Sequence, residues 1–594
     1  MKTLDLLVIH PNSGSTYQDL RNDLTAVEPP LWTRLIAGYA LDHGYTVEII
    51  DAEADNLAAW EIAQLVYEKK PRLTAVVVFG HQPSASTQMM PGALKILESI
   101  DFLHPMILIG GHVSALPEQS LRESCASFVC KGEGPETVVR LLQELKTTPP
   151  DVCLALETIP GLVWRKYKSL NMADPAWGEF DVVVNPMAPN IDPAKLTGNV
   201  WHLLPMDKYR AHNWQTFPTG ISRQHYASVY TSLSCPFTCQ FCCIAAPFGE
   251  SGGYRLRAPA VVVEEILFLF SYYGVRTFKI IDEMFVLNAK HVREICEGII
   301  ALGIGDHINI WAYARVDTVK AGMLDLMRRA GIRWLALGIE AGSKAVRDKA
   351  RKGLKSESIA SIVQKIKDAD ICVLGNFIFG LPGDTQETMR ETLDLAKELQ
   401  CEFANFYAAQ AYPGSQLYAD AVASGAALPT SWSGYSQHSR GSTPLANENL
   451  TSADILAFRD KAFHEYFSHE PYLDMIEGRF GKDTRTYIEL MEGHRLERDL
   501  LKQRFRFIDK HDKEAWSDTP EELVQAVTEK GLTIEDGKII YYHNETDIQP
   551  AIDRLCDAFP DPTSKTKCRV RFMLCRPLMF AELDMAEGKG FEPS

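Results

Sequence analysis

Short apolar runs and longer amphipathic stretches alternate along the first 145 residues. The runs fall at 4–9, 46–50, 74–79, 106–109 and 127–130, and helix-period stretches at 31–43, 57–69 and 88–99 lie between them. This alternation predicts a parallel sheet with helices on both faces, a doubly wound α/β unit whose ligands sit beyond the carboxyl ends of the strands. The loops there are rich in small and polar residues. Asn12 and Ser13 follow the first run, His81, Ser84 and Ser86 the third, Gly110 and Gly111 the fourth, and Gly132 and Glu133 the fifth. Small residues let a backbone approach a large flat ligand, and hydroxyls satisfy its polar rim. By themselves these loops are equally those of any nucleotide or cofactor fold.

The same rhythm returns between 226 and about 425. Strand runs at 227–233, 277–281, 308–312, 334–337, 373–378 and 402–407 alternate with helical stretches at 260–273, 289–302, 321–330, 356–368 and 385–399. Six such units predict a partial (β/α)6 barrel with its active site at the carboxyl end of the strands. The stretch between, 146–220, contains a hairpin pattern at 161–165 and 181–185 and reads as a strap joining the two units. Beyond 425 the pattern turns mainly helical, at 452–467 and 484–505. An aromatic, turn-rich segment at 432–438 is placed to cover the barrel mouth. The last stretch, 519–594, offers a helix at 520–530, a strand at 538–542 and a helix at 547–559. The organisation expected is 1–145, 146–220, 221–425, 426–515 and 516–594, too much chain for one core.

Charge narrows the function. A formal net charge of −16 argues against nucleic acid, because phosphate contacts need a basic surface. No apolar run reaches membrane-spanning length, and the first residues run straight into a strand without the pattern of a cleavable signal. Thirteen cysteines, an odd number, fit a reducing cytoplasm better than a disulfide framework.

Three of them carry chemistry. Cys235, Cys239 and Cys242 form CxxxCxxC directly after the 227–233 run, with Phe241 just before the last. Three thiolates on one loop can each bind one iron of a [4Fe–4S] cubane and leave the fourth iron open. A zinc site would want a fourth ligand at regular spacing, and none follows. Cys243 should point away as a packed thiol. Polar groups stand after each later run: Asp282 and Glu283, then Tyr313 and Arg315, then Glu340, then Gly380 in a Gly-Leu-Pro-Gly turn. Singly, Asp282 and Glu283 are as well read as helix caps, Glu340 as a lysine's partner, and Gly380 as a turn glycine.

Over 226–418 this order resembles the radical S-adenosylmethionine (SAM) superfamily. The first 145 residues look like the cobalamin-binding domain that precedes the catalytic core in many of its members. The resemblance implies a cluster on the three cysteines that donates an electron to SAM. It implies that Asp282 and Glu283 meet the methionine amino group, and that Arg315 or Tyr313 meets the carboxylate or ribose, Tyr313 being the candidate catalytic side chain. Glu340 would meet the ribose or amine, and the turn at Gly380 the adenine side. Cobalamin would lie over the third loop and Gly110-Gly111. The His-bearing motif that cobalamin mutases and methionine synthase carry after the first strand, Asp-x-His-x-x-Gly, is replaced here by His10-Pro11-Asn12-Ser13-Gly14. That replacement leaves the cobalt's lower face to water, a non-ligating side chain or His81. The activity implied is transfer of a SAM-derived methyl group to an unactivated carbon of a small-molecule substrate. A cobalamin-dependent cyclase or rearrangement enzyme, and a cobalamin- or redox-responsive binding protein, are the alternatives. A reducing partner such as flavodoxin or ferredoxin is implied as well.

Overall fold

The structure is a computed structural model. It describes the chain except residues 1–3, 19, 21–24, 81–82, 149–153, 170–177, 218–219, 250–252, 355, 502–503, 509–513, 518–537, 543–570 and 576–594.

The first unit runs β1 (Leu6–His10), α1 (Leu31–Asp42), β2 (Val47–Asp51), α2 (Ala59–Lys69), β3 (Leu73–Val78), α3 (Pro83–Ser99), β4 (Met106–Gly110), α4 (Gly111–Ala115), α5 (Pro117–Glu123), β5 (Phe128–Cys130) and α6 (Pro135–Thr147). The β1, β3 and β4 runs are buried at every residue, as a parallel sheet covered on both faces demands. Residues of alternating parity feed two cores, one under α1 and α6 and one under α2 and α3. The strand order is 2-1-3-4-5, so the chain changes direction between β1 and β3. A crevice opens at such a switch point, beyond the carboxyl ends of the two strands. The expected hairpin forms β6 (Leu162–Tyr167) and β7 (Phe180–Val184), which extend this sheet in antiparallel fashion from β5. The chain then crosses α1 and seats a 3-10 turn, Asn213–Thr216, in the second unit. There Asn309 Nδ2 and the Trp334 indole both donate to the Gln215 carbonyl.

The second unit begins with β8 (Tyr226–Val229) and a small ribbon of β9 (Ser232–Leu233) and β10 (Arg255–Leu256). It continues through α7 (Pro259–Tyr272), β11 (Thr277–Ile280), α8 (Ala289–Ala301), β12 (Asn309–Arg315), α9 (Leu324–Arg329), β13 (Ile332–Glu340), α10 (Lys344–Lys349), α11 (Ser356–Asp368), β14 (Cys372–Phe379), α12 (Gln386–Leu399), β15 (Phe403–Ala408) and α13 (Gln416–Ser424). Its six parallel strands lie in chain order, 8-11-12-13-14-15, as a partial barrel open between β15 and β8.

The remaining helices are α14 (Ser452–Phe467), α15 (Glu470–Phe480) and α16 (Lys482–Glu492). They pack on β15 and share the barrel's core through Ile455, Tyr466 and Tyr472. Two differences from the sequence expectation appear here. The helix expected over 484–505 ends at Glu492, where Gly493 follows and the chain runs back along 437–439. The 432–438 segment lies between the two units at the carboxyl end of β15, rather than over the barrel alone. Trp432 joins the α2/α3 core, while Gln437 bonds the backbone of Ala408 in β15. Beyond α16, β16 (Arg504–Ile508), β17 (Glu514–Ser517), β18 (Lys538–Tyr542) and β19 (Arg571–Cys575) form a small sheet. The helices expected at 520–530 and 547–559 lie outside the described residues.

The two units are fastened by buried charge. Arg34 of α1 stacks over Trp201 at 3.6 Å, donates to the carbonyls of Gly198 (3.0 Å) and Ser228 (2.8 Å), and faces Glu265 of α7 at 3.4 Å. Glu265 also pairs with Arg257 and accepts from the Trp201 indole, so no ion in this interface is left alone.

Candidate functional site

The cysteine loop leaves β9 at Ser234, a non-glycine residue with φ +71°, and turns so that the Cys242 N–H bonds the Cys239 carbonyl at 3.1 Å. Backbone bonds from Gln240 to Ala350 and from Leu417 to Gln240 hold it against the barrel rim. Cys235, Cys239 and Cys242 are half-buried and unpaired, while Cys243 is buried as a packed thiol. Burial pushes the thiols of Cys235 and Cys242 up, to about 11 and about 12, so thiolate forms here only against a strong neighbouring charge such as iron. Among the described residues no three His, Cys, Asp or Glu side chains converge on a single ion. A cubane does not ask for that, because each thiolate binds a different iron and the three must stand apart. The all-sulfur donor set on one loop fits a four-iron cluster.

The side chains after the barrel strands divide into two groups. Asp282 is wholly engaged: it accepts from the Thr231 N–H (2.6 Å) and from the hydroxyls of Thr231 (2.5 Å) and Ser232 (2.7 Å). It therefore staples the strand that launches the cysteine loop. Glu340, at φ +69° on an irregularity of β13, pairs with Lys352 at 2.6 Å, both side chains buried. Gly380 lies against α14, where a Cβ would meet Ile455 at 2.5 Å, and its N–H bonds Asp384. These three hold the rim in shape. Glu283 differs. Its carboxylate is buried near the cysteines, burial pushes it up to about 7, and Oε2 has no hydrogen-bond partner. Arg315 lies over the Phe237 ring at 4.0 Å and reaches Cys239 Sγ at 3.6 Å, braced by Asp317 and the Lys352 carbonyl. A fixed cation beside the cluster ligands favours their charged form. Glu283 and Arg315 are thus the pair able to meet an amino acid's ammonium and carboxylate at the open iron.

The first unit presents its switch point to the same region. Asn12 Oδ1 accepts from the Gly14 N–H, and the Ser13 hydroxyl donates to Glu53 at 2.9 Å. Ser86 Oγ accepts from the Gly80 N–H. Glu133 is spent on Arg255 and the Ile191 N–H, tying the β5 loop to the ribbon of the second unit. Gly110 closes on Val78, where a Cβ would meet a carbonyl at 2.5 Å, and Gly132 lies beside Met187. Gly111 faces a narrow cavity of about 60 Å³ shared with Cys243 and Glu283. His81 lies outside the described residues, and nothing is described of the Ser84 side chain.

Sequence reasoning set His10 aside as a cobalt ligand. It ends β1 at the switch point, 4% exposed, with no hydrogen-bond partner at Nδ1, and burial pushes it down to about 4, so it is a neutral imidazole. His10, Ser13 and Phe79 from the switch point, and Lys279, Trp311 and Tyr313 from the barrel interior, line one cavity of about 650 Å³. The Tyr313 ring lies edge-on to Trp311 at 4.9 Å. Lys279 is buried between Trp311 and Glu28, whose carboxylate oxygens are both 3.1 Å from Nζ. An orphaned buried imidazole at a switch point, opening onto a large cavity, fits a corrin-sized ligand held at that edge.

Family comparison agrees with this geometry. The Radical SAM superfamily model matches residues 229–396 and the B12 binding domain model residues 17–142. This chain carries a B12 binding domain followed by a Radical SAM domain. Its cofactors follow from those domains: a [4Fe–4S] cluster, SAM and cobalamin. It is 28% identical to the uncharacterized methyltransferase PH0819 of Pyrococcus horikoshii over 79% of this chain and 93% of the relative. It is 27% identical to the anaerobic magnesium-protoporphyrin IX monomethyl ester cyclase of Cereibacter sphaeroides, over 70% of this chain and 63% of that protein. In fold it is similar to TsrM, a radical S-adenosylmethionine methyltransferase from Kitasatospora setae solved with cobalamin and a [4Fe–4S] cluster. The TM-score is 0.54 at 17% identity, covering 78% of this chain and 89% of that one. Among the described residues, no helix is long and apolar enough to cross a membrane.

Proposed function

We propose that this protein is a cobalamin-dependent radical SAM methyltransferase acting on an unactivated carbon of a small molecule, supplied with electrons by a reductant of the flavodoxin or ferredoxin kind. The observation that carries this reading is the single cavity of about 650 Å³ bounded by the switch point of one unit and the barrel interior of the other. A methyl group handed between two cofactors needs both to face one enclosed substrate. When bound, the cluster supplies the electron that cleaves SAM, and cobalamin supplies the carrier for its methyl group.

The chain's own part is to bind, orient and keep dry. Cys235, Cys239 and Cys242 hold the iron, Glu283 and Arg315 orient the methionine end of SAM, and Asp282 keeps the loop in register. Tyr313, two residues before Arg315 on the same face of β12, lines the cavity. The seam segment 432–438 and helices α14 and α16 close the open side of the barrel, excluding water from reactive intermediates. The similarity to the cyclase favours a second reading, in which the same cavity and cofactors serve ring formation.

The test uses anaerobically reconstituted full-length protein and SAM carrying a deuterated methyl group. Labelled methyl on the bound cobalamin, and then on product, supports the transferase. Cleavage of SAM to 5′-deoxyadenosine with no label on cobalamin or product supports the cyclase instead. Replacing all three cluster cysteines by alanine should abolish the iron chromophore and SAM cleavage, with cobalamin still bound. A normal cluster in that variant would overturn the cysteine assignment.

A further inference from the structure

The wall of the large cavity formed by α14 and the segment after α16 carries an unbalanced charge. Arg459 of α14 and Arg498, which follows α16, both line the cavity with side chains 7% and 2% exposed. One carboxylate, Asp460, serves both. It stands 2.7 Å from Arg459 Nη1, and its two oxygens are 2.8 and 2.9 Å from Arg498 Nε and Nη2. The other bonds of the two guanidinium groups go to neutral carbonyls, those of Phe406, Ser439 and Gln437. Two buried cations against one anion leave a surplus positive charge in a chain whose formal net charge is −16. The next side chain, His438, does not offset it. Burial, with the two arginines, pushes that imidazole down to about 3 and keeps it neutral. Lys279, the other buried cation of the cavity, is already matched by Glu28. A buried charge without a counter-ion is costly, and such a surplus persists where a ligand completes it. Other walls of the cavity are aromatic, with Trp311, Tyr313, Phe403 and Tyr407 facing the same space.

We infer that Arg459 and Arg498 form the anion-binding subsite of the substrate cavity, and that the substrate is a flat, unsaturated molecule ending in an oxyanion such as a carboxylate or phosphoryl group. The oxyanion takes the surplus charge by charge-assisted hydrogen bonds, while the aromatic walls hold the flat body toward Tyr313. This rests on the proposed function, in which the cavity is the substrate site. Asp460 limits the strength of the subsite by sharing both arginines, so the two sides of the cluster should act in opposite directions.

Two probes with one aromatic skeleton test it: 8-anilinonaphthalene-1-sulfonate and its uncharged counterpart N-phenyl-1-naphthylamine. Their binding to cluster- and cobalamin-loaded full-length protein is measured by equilibrium dialysis. Arg459→Gln should weaken the sulfonate by about tenfold and leave the neutral probe unchanged, while Asp460→Asn should strengthen the sulfonate severalfold. Arg329→Gln, on exposed α9, controls for loss of one positive charge anywhere in the chain. If Arg459→Gln fails to fold, the gain in Asp460→Asn decides alone. Parallel loss of both probes in both variants would show that the cluster only packs the wall, and would overturn the inference. So would equal affinity of both probes for wild-type protein, or selectivity for the sulfonate that disappears on cobalamin loading, which would give the subsite to the cofactor's own phosphate. The labelled-methyl assay is independent. Anion selectivity in a protein that transfers no methyl would overturn the methyltransferase reading and leave the subsite standing.

Discussion

At the scale of single residues, burial decides protonation. His10 is held neutral because burial disfavours its charged form more than the Glu53 carboxylate favours it, and its folded value of about 4 lies below the ordinary 6.5. A depressed histidine contributes stability that is complete above the unfolded value and lost as pH falls toward the folded one, because the unfolded chain then binds the proton more readily. His10→Gln should therefore narrow its deficit against wild type by about 2 kcal/mol between pH 7 and pH 5, measured by urea unfolding at each pH. A deficit that does not change with pH would show that His10 is solvated. Sequence reasoning set His10 aside because the histidine motif of cobalamin mutases and methionine synthase is absent here, and only the fold shows that its imidazole is buried and lacks a partner at Nδ1. Glu283 and Asp282 stand side by side in the sequence with identical promise. Three donors from 231–232 engage one and leave the other for a ligand.

At the scale of elements, helix α3 sets the floor of the switch point. Its Gly92 meets the loop after β1 so closely that a Cβ would stand 2.2 Å from the Asn12 carbonyl. Gly92→Ala should improve helix propensity by about 1 kcal/mol yet push α3 off that loop. The expected result is a less stable protein that loses the corrin's visible absorbance on desalting. Gly478 in α15 has nothing within 4 Å of its Cβ direction, so Gly478→Ala should raise stability by up to about 1 kcal/mol. Equal effects at the two glycines would refute the close approach. Helix α15 itself was not foreseen, since only Tyr472, Leu473 and Ile476 of its residues are buried and its period is weak. Its tyrosine is placed by a bond to the Glu402 carbonyl, a contact 70 residues away in sequence.

At the scale of the whole molecule, the units are joined through a polar core. Arg34→Met removes the stack on Trp201 and two carbonyl bonds across the interface, while Glu265 keeps Arg257. A loss of roughly 3 kcal/mol is expected, the lower range for breaking a buried pair. Calorimetry should then separate the melting of the two units. A single unshifted transition would show that the seam at 432–438 alone couples them. The hairpin β6–β7 adds to this integration. Leu162 and Val163 are fully buried in the cores on either face of the first sheet.

Much was settled along the chain alone. Five strand runs and six more alternating with helices could hardly form anything but two α/β units, because each apolar run had to be covered on both faces. The cysteine spacing alone named its chemistry, since ligands on one loop are close in sequence and in space. The substrate cavity was different. His10, Lys279, Tyr313, Arg459 and Arg498 come from the whole length of the protein and meet because the open side of the barrel is closed by the switch point and by α14 and α16. Their shared space, and the uneven pairing of two arginines with one carboxylate, are products of domain packing, in which long-range contacts decide which polar groups keep a partner. The spacing of residues along a strand or helix does not encode them.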